Sequence, residues 1–531
     1  MSQLDLQGIL PGRPVKEDLR AGFLVFLIAL PLSLGIAMAS GFPPVAGILS
    51  AIVGGLVVTF LGSARLTIKG PAAGLIVIAL GAVQELGDGD PLVGYKRALA
   101  VGVVAAVVQI LFSLVRAATA GIAMSPSVVH GMLAAIGVII ISKQAHTVLG
   151  VSPEGKEPLH LLAEIPESMM NANPEIMALG LLSLAILFFW PFLKAGWAKA
   201  VPAPLVVLAV AVPLALIFDL EHEHNYTLLG HLHHVGPEFL VTLPGSLLDA
   251  VTFPDFSAVF SGTSIKYIVM FALVGTVEST LSVIAVDAMD PEKRPSGLNR
   301  DLFGAGVGNL ISASIGGLPM ISEIVRSKAN IDSGARSGWA NFFHGGFLLL
   351  FVALVPGLLH MIPLAALGAM LVYTGARLAA PSELMHARKI GNDQVLLFAA
   401  TLIVTLATDL LIGVGVGIAL KVALHLLRGV SLRAMFRTDI EESREGRSLH
   451  LKMRGAATFT NLLGIRRRLM SLEGIDHVVL DVADVQLVDH TFLARIESMA
   501  DELPNTSFEM VGVELLSAAS DHPQATRRRH A

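Results

Sequence analysis

A single carboxylate, Glu278, sits deep in the otherwise uncharged run from Tyr267 to Ser282. A carboxylate is costly in hydrocarbon. In such a run it either handles an ion or a proton, or is held by a structural ion pair or an interhelical hydrogen bond. Ser282 stands one helical turn further on and shares its face, so the two side chains can together ligate a small cation such as Na+. Arg326 lies about two turns beyond Pro319. Its planar fork can donate two parallel hydrogen bonds to an oxyanion, with Glu323 or Glu278 as its alternative partners. A carboxylate at Glu323 favours a helix start but repels an anion. Titration, pairing with Lys69 or Lys328, and cation binding are its open roles. Asp409 and His344, also in apolar segments, read first as structural.

Two Gly-Pro breaks would position these groups. One is Gly70-Pro71-Ala72-Ala73-Gly74, after the basic residues Arg65 and Lys69; the other is Gly316-Gly317-Leu318-Pro319, followed by Met320-Ile321-Ser322. Interrupted apolar segments at matching places in two halves of a chain point to a transporter's substrate site. A helix that restarts in mid-membrane aims free N–H groups and the positive end of its dipole into the protein, and two such starts suit an anion. Ala72, Ala73, Met320, Ile321 and Ser322 are the expected donors; Pro71 has no N–H. The alternative is a pair of ordinary tight turns. Lys69 reads more simply as a lysine snorkelling to the cytoplasmic side than as a ligand.

The elements around these breaks are membrane segments. The chain has 531 residues, 54% hydrophobic and only 15% charged, where a soluble domain carries about a quarter charged. The absence of cysteine excludes disulfides and thiol chemistry. Apolar segments fall near 20–38, 43–61, 71–86, 97–119, 127–149, 175–193 and 202–218, then near 264–286, 298–314, 319–333, 338–361, 363–380, 393–410 and 411–428. The two sets are offset by about 246 residues, and seven being odd, the halves read as a 7+7 inverted repeat. Basic residues concentrate on one side, at Arg13, Lys16, Arg20, Arg65, Arg116, Lys194, Lys199, Lys293, Arg294, Arg300, Arg336, Arg388, Lys389, Arg428 and Arg433. The opposite loops carry mainly Lys96, Arg97 and Lys156. This asymmetry predicts cytoplasmic termini in a multi-pass inner (plasma) membrane protein.

The expected organisation is a cytoplasmic segment (1–18), a transporter domain (19–430, repeats near 19–218 and 264–430), an extracytoplasmic His-rich loop (219–263), a small cytoplasmic α/β domain (438–517) and a disordered tail (518–531). In the loop, Glu221-His222-Glu223-His224 and His231-Leu232-His233-His234 either bind a metal or are a solvated polar stretch. In the small domain, Leu449–Met453, His477–Val482 and Phe508–Val513 read as strands, and Thr460–Ser471 and Thr491–Glu502 as helices.

At these motifs the chain resembles the SulP family, the microbial and plant relatives of human solute carrier family 26. The likeness rests on Glu17-Asp18-Leu19-Arg20-Ala21-Gly22 with Ala29-Leu30-Pro31, on Ala39-Ser40-Gly41-Phe42-Pro43-Pro44-Val45-Ala46-Gly47, on Gly70-Pro71-Ala72-Ala73, and on Gly316-Gly317-Leu318-Pro319 with Arg326-Ser327 and Asn330. It implies a core domain moving against a gate domain, a homodimer, and a C-terminal STAS domain whose signature positions match Thr460-Asn461 and Asp489-His490-Thr491. It also implies that Pro31 and Ser33 line the substrate site on either side of Leu32. Leu32 stands where many sulfate-type members have glutamine, which is similar to the cyanobacterial bicarbonate carriers of the family. Their sodium-binding carboxylate and hydroxyl match Glu278 and Ser282. The stretch Pro319 to Ser327 resembles members associated with carbonic anhydrases. The expected function is alternating-access transport of a small inorganic oxyanion, most simply bicarbonate coupled to Na+ or H+ at Glu278. Sulfate transport, an anion channel and a membrane-anchored sensor are the alternatives. No enzymatic activity, nucleic-acid partner or further cofactor is expected.

Overall fold

The computed structural model describes residues 15–118, 124–155, 157–193, 201–228, 231–243, 245, 249–437, 439–469, 475–501 and 506–529. Residues 1–14 of the expected N-terminal segment, and Lys156, Lys194 and Lys199, lie outside these. The chain divides into two compact units, Met1–Ala118 with Ile136–Leu378, and Thr119–Ala135 with Ala379–Ala531.

The helices of the first unit are α1 (Lys16–Ala39), α2 (Pro44–Val53), α3 (Ile76–Leu86), α4 (Pro91–Leu114), α5 (Pro126–Leu149, shared with the second unit), α6 (Pro158–Met170), α7 (Pro174–Phe189), α8 (Ala203–Ile217), α9 (Gly262–Met289), α10 (Leu298–Ser314), α11 (Ile324–Asp332), α12 (Trp339–Leu354) and α13 (Leu364–Leu378). Local chemistry sets several starts. Asp90 accepts from the N–H groups of Leu92 and Val93 ahead of Pro91, and Ser261 accepts from the Ser264 N–H, each satisfying an orphan donor of the first turn. Among the described residues, eight helices are long and apolar enough to cross a membrane, with four shorter apolar helices beside them. A helix lies at each of the fourteen expected places, which makes the chain a polytopic helical membrane protein.

Four strands belong to this unit. β1 (Ile68–Pro71) and β4 (Met320–Glu323) form one antiparallel ladder, pairing Ile68 with Glu323 and Pro71 with Met320. β2 (His224–Leu228) and β3 (His231–Val235) form a hairpin in the His-rich loop. The hairpin gathers no trio of metal-ligating side chains among the described residues. Instead Tyr226 donates to Asn173 Oδ1 at 2.9 Å.

The second unit contains α14 (Pro381–Ile390), α15 (Asn392–Ala407), α16 (Leu410–Leu427) and a small α/β domain. Asp409, read as intramembrane, caps α16 by accepting from the Ile412 N–H at 2.9 Å. The domain is built from β5 (Asp439–Glu445), β6 (Ser448–Ala457), α17 (Leu462–Leu469), β7 (His477–Val488), α18 (His490–Asp501), β8 (Ser507–Val511), β9 (Ser517–Ala518) and β10 (Arg527–Arg528). The central strands β6, β7 and β8 are parallel; β5 and β10 run antiparallel at their flanks. Within the described residues, up to 529, this corrects the expectation of a disordered tail at 518–531. Arg527 and Arg528 pair with Val488 and Leu487, and the Arg529 N–H donates to the Gln486 carbonyl at 2.9 Å. A two-residue strand is too short for periodicity to register; its backbone is ordered by the edge of β7.

Candidate functional site

The β1–β4 ladder lies where both Gly-Pro breaks meet. Non-helical backbone at membrane depth survives only when protein satisfies its polar groups, and here side chains do so. The Ile68 N–H donates to Ser327 Oγ at 2.8 Å and the Lys69 N–H to Asn341 Oδ1 at 3.2 Å. The Met320 N–H donates to Asn309 Oδ1 at 2.6 Å and the Ser322 N–H to Ser279 Oγ at 3.3 Å. The second helix therefore begins at Ile324, not at Pro319, and the N–H groups of Met320 and Ser322 are already engaged. Beyond Pro71 the chain enters a single 3-10 turn, Ala73–Leu75, and then α3. Because the strands are antiparallel, α3 and α11 leave the ladder in opposite directions and direct their positive ends back toward it.

Two opposite charges are seated on the two glycines of Gly70-Pro71-Ala72-Ala73-Gly74. A Cβ at Gly70 would stand 2.5 Å from Arg326 Nη1, and a Cβ at Gly74 would stand 1.9 Å from Glu278 Oε1. Glycine is what lets each charged group lie against the backbone here. Arg326 is 1% exposed and Glu278 5% exposed. Neither terminal nitrogen of Arg326 and neither oxygen of Glu278 has a hydrogen-bond partner among the described residues. A buried charge without a partner is destabilising by several kcal/mol, roughly, so each group calls for a counter-ion or a proton. Glu323 faces the backbone N–H of Ala73 and lies within electrostatic reach of Glu278 and Arg326. Its Oε1 is buried without a hydrogen-bond partner among the described residues.

The remaining expected residues are also buried near this ladder. Pro31 and Ser33 are buried in α1, and Ser33 Oγ has no partner among the described residues. Ala72, Met320, Ile321 and Ser322 are buried, and Ala73 is half-buried. Ser282 is buried one turn beyond Glu278 on α9. Ser322 turns its hydroxyl away from a ligand role, accepting from Lys69 Nζ at 2.5 Å and donating to Asp301 Oδ2 at 3.1 Å.

Lys69 is the clearest correction. It is 2% exposed and pairs with Asp301 at 2.5 Å, rather than snorkelling to a surface. Asp301 also accepts from the backbone N–H groups of Ser63 and Ala64 at 3.3 and 3.1 Å, and Ser279 donates to Ser322 at 3.2 Å. Asp301, Ser279, Asn309 and Asn341 were missed in the sequence. A carboxylate early in an apolar segment at Asp301 was the one signal available. Asn309, held by Gln109 Oε1 at 2.8 Å and bonded to Met320 on both its polar atoms, fixes the end of β4.

The model of the sulfate permease family matches residues 15–401. The chain is 26% identical over 416 residues to YvdB of Bacillus subtilis, whose name assigns it provisionally to sulfate transport; the match covers 78% of this chain and 74% of that protein. It is 24% identical over 508 residues to the bicarbonate transporter BicA of Picosynechococcus, covering 92% of this chain and 87% of that protein. The solved transmembrane domain of a cyanobacterial bicarbonate transporter BicA superposes with a TM-score of 0.64 at 25% identity, covering 75% of this chain and 97% of that one.

Proposed function

The chain belongs to the sulfate permease family of membrane anion transporters, which are not enzymes, and from that premise we propose that it carries bicarbonate by alternating access, coupled to Na+ or H+ at Glu278. The observation that carries the reading is the placement of two buried charged groups without hydrogen-bond partners among the described residues, Arg326 and Glu278, on the two glycines of one broken segment. Arg326 and the N–H group of Ala72 would hold the anion, with Pro31, Ser33, Ala73, Met320, Ile321 and Ser322 walling the site; the Ala73 N–H already faces Glu323. Glu278, Ser282 and Glu323 would serve the coupling cation.

A single guanidinium balances a monoanion, and Leu32 offers a dianion no further hydrogen bond; both points favour bicarbonate over sulfate. The provisional naming of YvdB keeps sulfate as the alternative cargo. The wider assignment is an inverted 7+7 repeat over 19–430 with both termini cytoplasmic, a homodimer in the inner membrane, a STAS domain from residue 438 onward, and functional association with a carbonic anhydrase. Uptake of labelled bicarbonate and sulfate into proteoliposomes, with and without a Na+ gradient, tests the reading. Bicarbonate uptake that depends on the cation gradient and is lost in Glu278→Gln is expected. Cation-independent uptake that survives Glu278→Gln would remove the coupling role; sulfate uptake alone would replace the cargo.

A further inference from the structure

One buried polar side chain at this ladder has no task in the scheme above. His344, on α12, is 0% exposed, and neither Nδ1 nor Nε2 has a hydrogen-bond partner among the described residues. It is not a loosely placed residue. Three positions earlier Asn341 accepts from the Lys69 N–H and donates to the Gly54 carbonyl at 3.0 Å and to Thr59 Oγ1 at 2.9 Å. One position later Gly345 lies so close to Gly55 that a Cβ on Gly55 would stand 2.6 Å from its Cα. The segment bearing His344 is thus bolted to β1 and to the turn that follows α2. The ring lies within electrostatic reach of Arg326, the other side chain there with unpartnered nitrogens.

We propose that His344 is a ligand of the transported anion, accepting a hydrogen bond from its O–H and so selecting a protonated oxyanion over an anion of the same charge that lacks the proton. The proposal rests on the bicarbonate reading and adds to it the group that reads the hydroxyl. Every other ligand named for the anion is a donor: the Arg326 fork and the N–H group of Ala72. Donors satisfy the bare oxygens of bicarbonate and leave its O–H unmet, which in a dry site costs the full desolvation of that group. Glu278 and Glu323 also carry free oxygens, but a carboxylate would set negative charge against the anion. An imidazole ring in its neutral form offers one lone-pair nitrogen. It accepts without like-charge repulsion.

Nitrate is the discriminating probe, being a planar monoanion of nearly the size of bicarbonate but without an O–H. Binding of bicarbonate and of nitrate is measured on the purified full chain at one Na+ concentration and mildly alkaline pH. The native protein is expected to prefer bicarbonate. His344→Phe is expected to lose about tenfold in bicarbonate affinity, the worth of one such hydrogen bond, and to leave nitrate unchanged. His344→Gln, which keeps an acceptor, is expected to retain most of the preference. Equal loss of both anions in His344→Phe, or equal affinity for both in the native protein, overturns the proposal. The native comparison stands even if a variant fails to fold. A native protein that binds sulfate and neither planar anion would instead overturn the bicarbonate reading itself.

Discussion

At the scale of single residues, two kinds of buried charge behave oppositely. Lys69 and Asp301 satisfy each other at 2.5 Å, whereas Arg326 and Glu278 lack hydrogen-bond partners among the described residues. Removing one partner of a buried pair strands the other, at a cost of about 3–5 kcal/mol. Lys69→Met should therefore lower the thermal unfolding midpoint of the detergent-purified protein sharply, and Lys69→Met with Asp301→Leu should recover much of the loss. A midpoint unchanged in the single variant would show that the pair is not structural. Arg326→Lys should instead leave the midpoint near that of the native protein and weaken anion binding about tenfold or more, since a hydrogen bond to a charged group is worth roughly 1.5–3 kcal/mol. Equal binding by the two proteins in an anion titration would remove the bidentate contact. Glu278 and Arg326 stand out in the sequence because a charge in an apolar run is informative by itself. Lys69 was misread because its partner is 232 residues away along the chain, and depth alone does not name a partner.

At the scale of elements, the site is made by two helices that start late, because the residues before them are held extended in the β1–β4 ladder and by the Asn309 and Ser279 side chains. Ahead of β4, Gly316 takes φ 102°, which glycine alone adopts without strain. The apolar segments were legible because helical runs of 10 to 28 residues repeat the same signal. The four-residue strands were not, since four residues carry no period and their stabilising partners, Ser279, Asn309, Ser327 and Asn341, come from three other helices and from α11 itself. The Cβ test at Gly74 gives a prediction at this scale. Gly74→Ala must displace the Glu278 carboxylate, since the new methyl would stand 1.9 Å from Oε1. Cation dependence of uptake should be lost while the circular dichroism spectrum stays native. Retained Na+ or H+ dependence in a folded Gly74→Ala protein would move the coupling site away from this helix start. Ala73→Leu should fill the gap at the start of α3 and abolish anion binding in a titration by volume, with no change of charge.

At the scale of the whole molecule, the proposed ligands all lie between residues 31 and 344, in the first unit, while α14 to α16 and the α/β domain form the second. Within that second unit one polar cluster ties α16 to the domain. Lys421, 3% exposed, donates to Thr491 Oγ1 at 2.5 Å, pairs with Asp489 at 3.2 Å and lies 4.4 Å from the centre of the Phe459 ring; His425, one turn on, meets the same carboxylate at 3.2 Å. Burial alone would raise the Asp489 carboxyl, but the Lys421 ammonium and the His425 bond override it and hold the group well below the ordinary carboxylate range. A depressed carboxylate stabilises above its unfolded pKa of about 3.9 and loses that contribution only as pH falls through the lower folded value. The tie should therefore hold, unchanged, throughout the neutral range. Truncation after Arg437 removes Asp489, the carboxylate paired with the Lys421 ammonium at 3.2 Å, and leaves only the weaker pull of Asp393 on a charge buried in an apolar helix. The truncated protein should be less stable, by about 3–5 kcal/mol at this one pair, and Lys421→Met in the truncated background should restore part of that stability. Anion binding should survive in both, because the excised domain supplies none of the proposed ligands. The check is anion affinity and thermal midpoint on folded, monodisperse samples of the full chain, the truncation, and the truncation with Lys421→Met. Loss of anion binding in such a truncated sample would mean that the domain shapes the site, and the modular reading would fall.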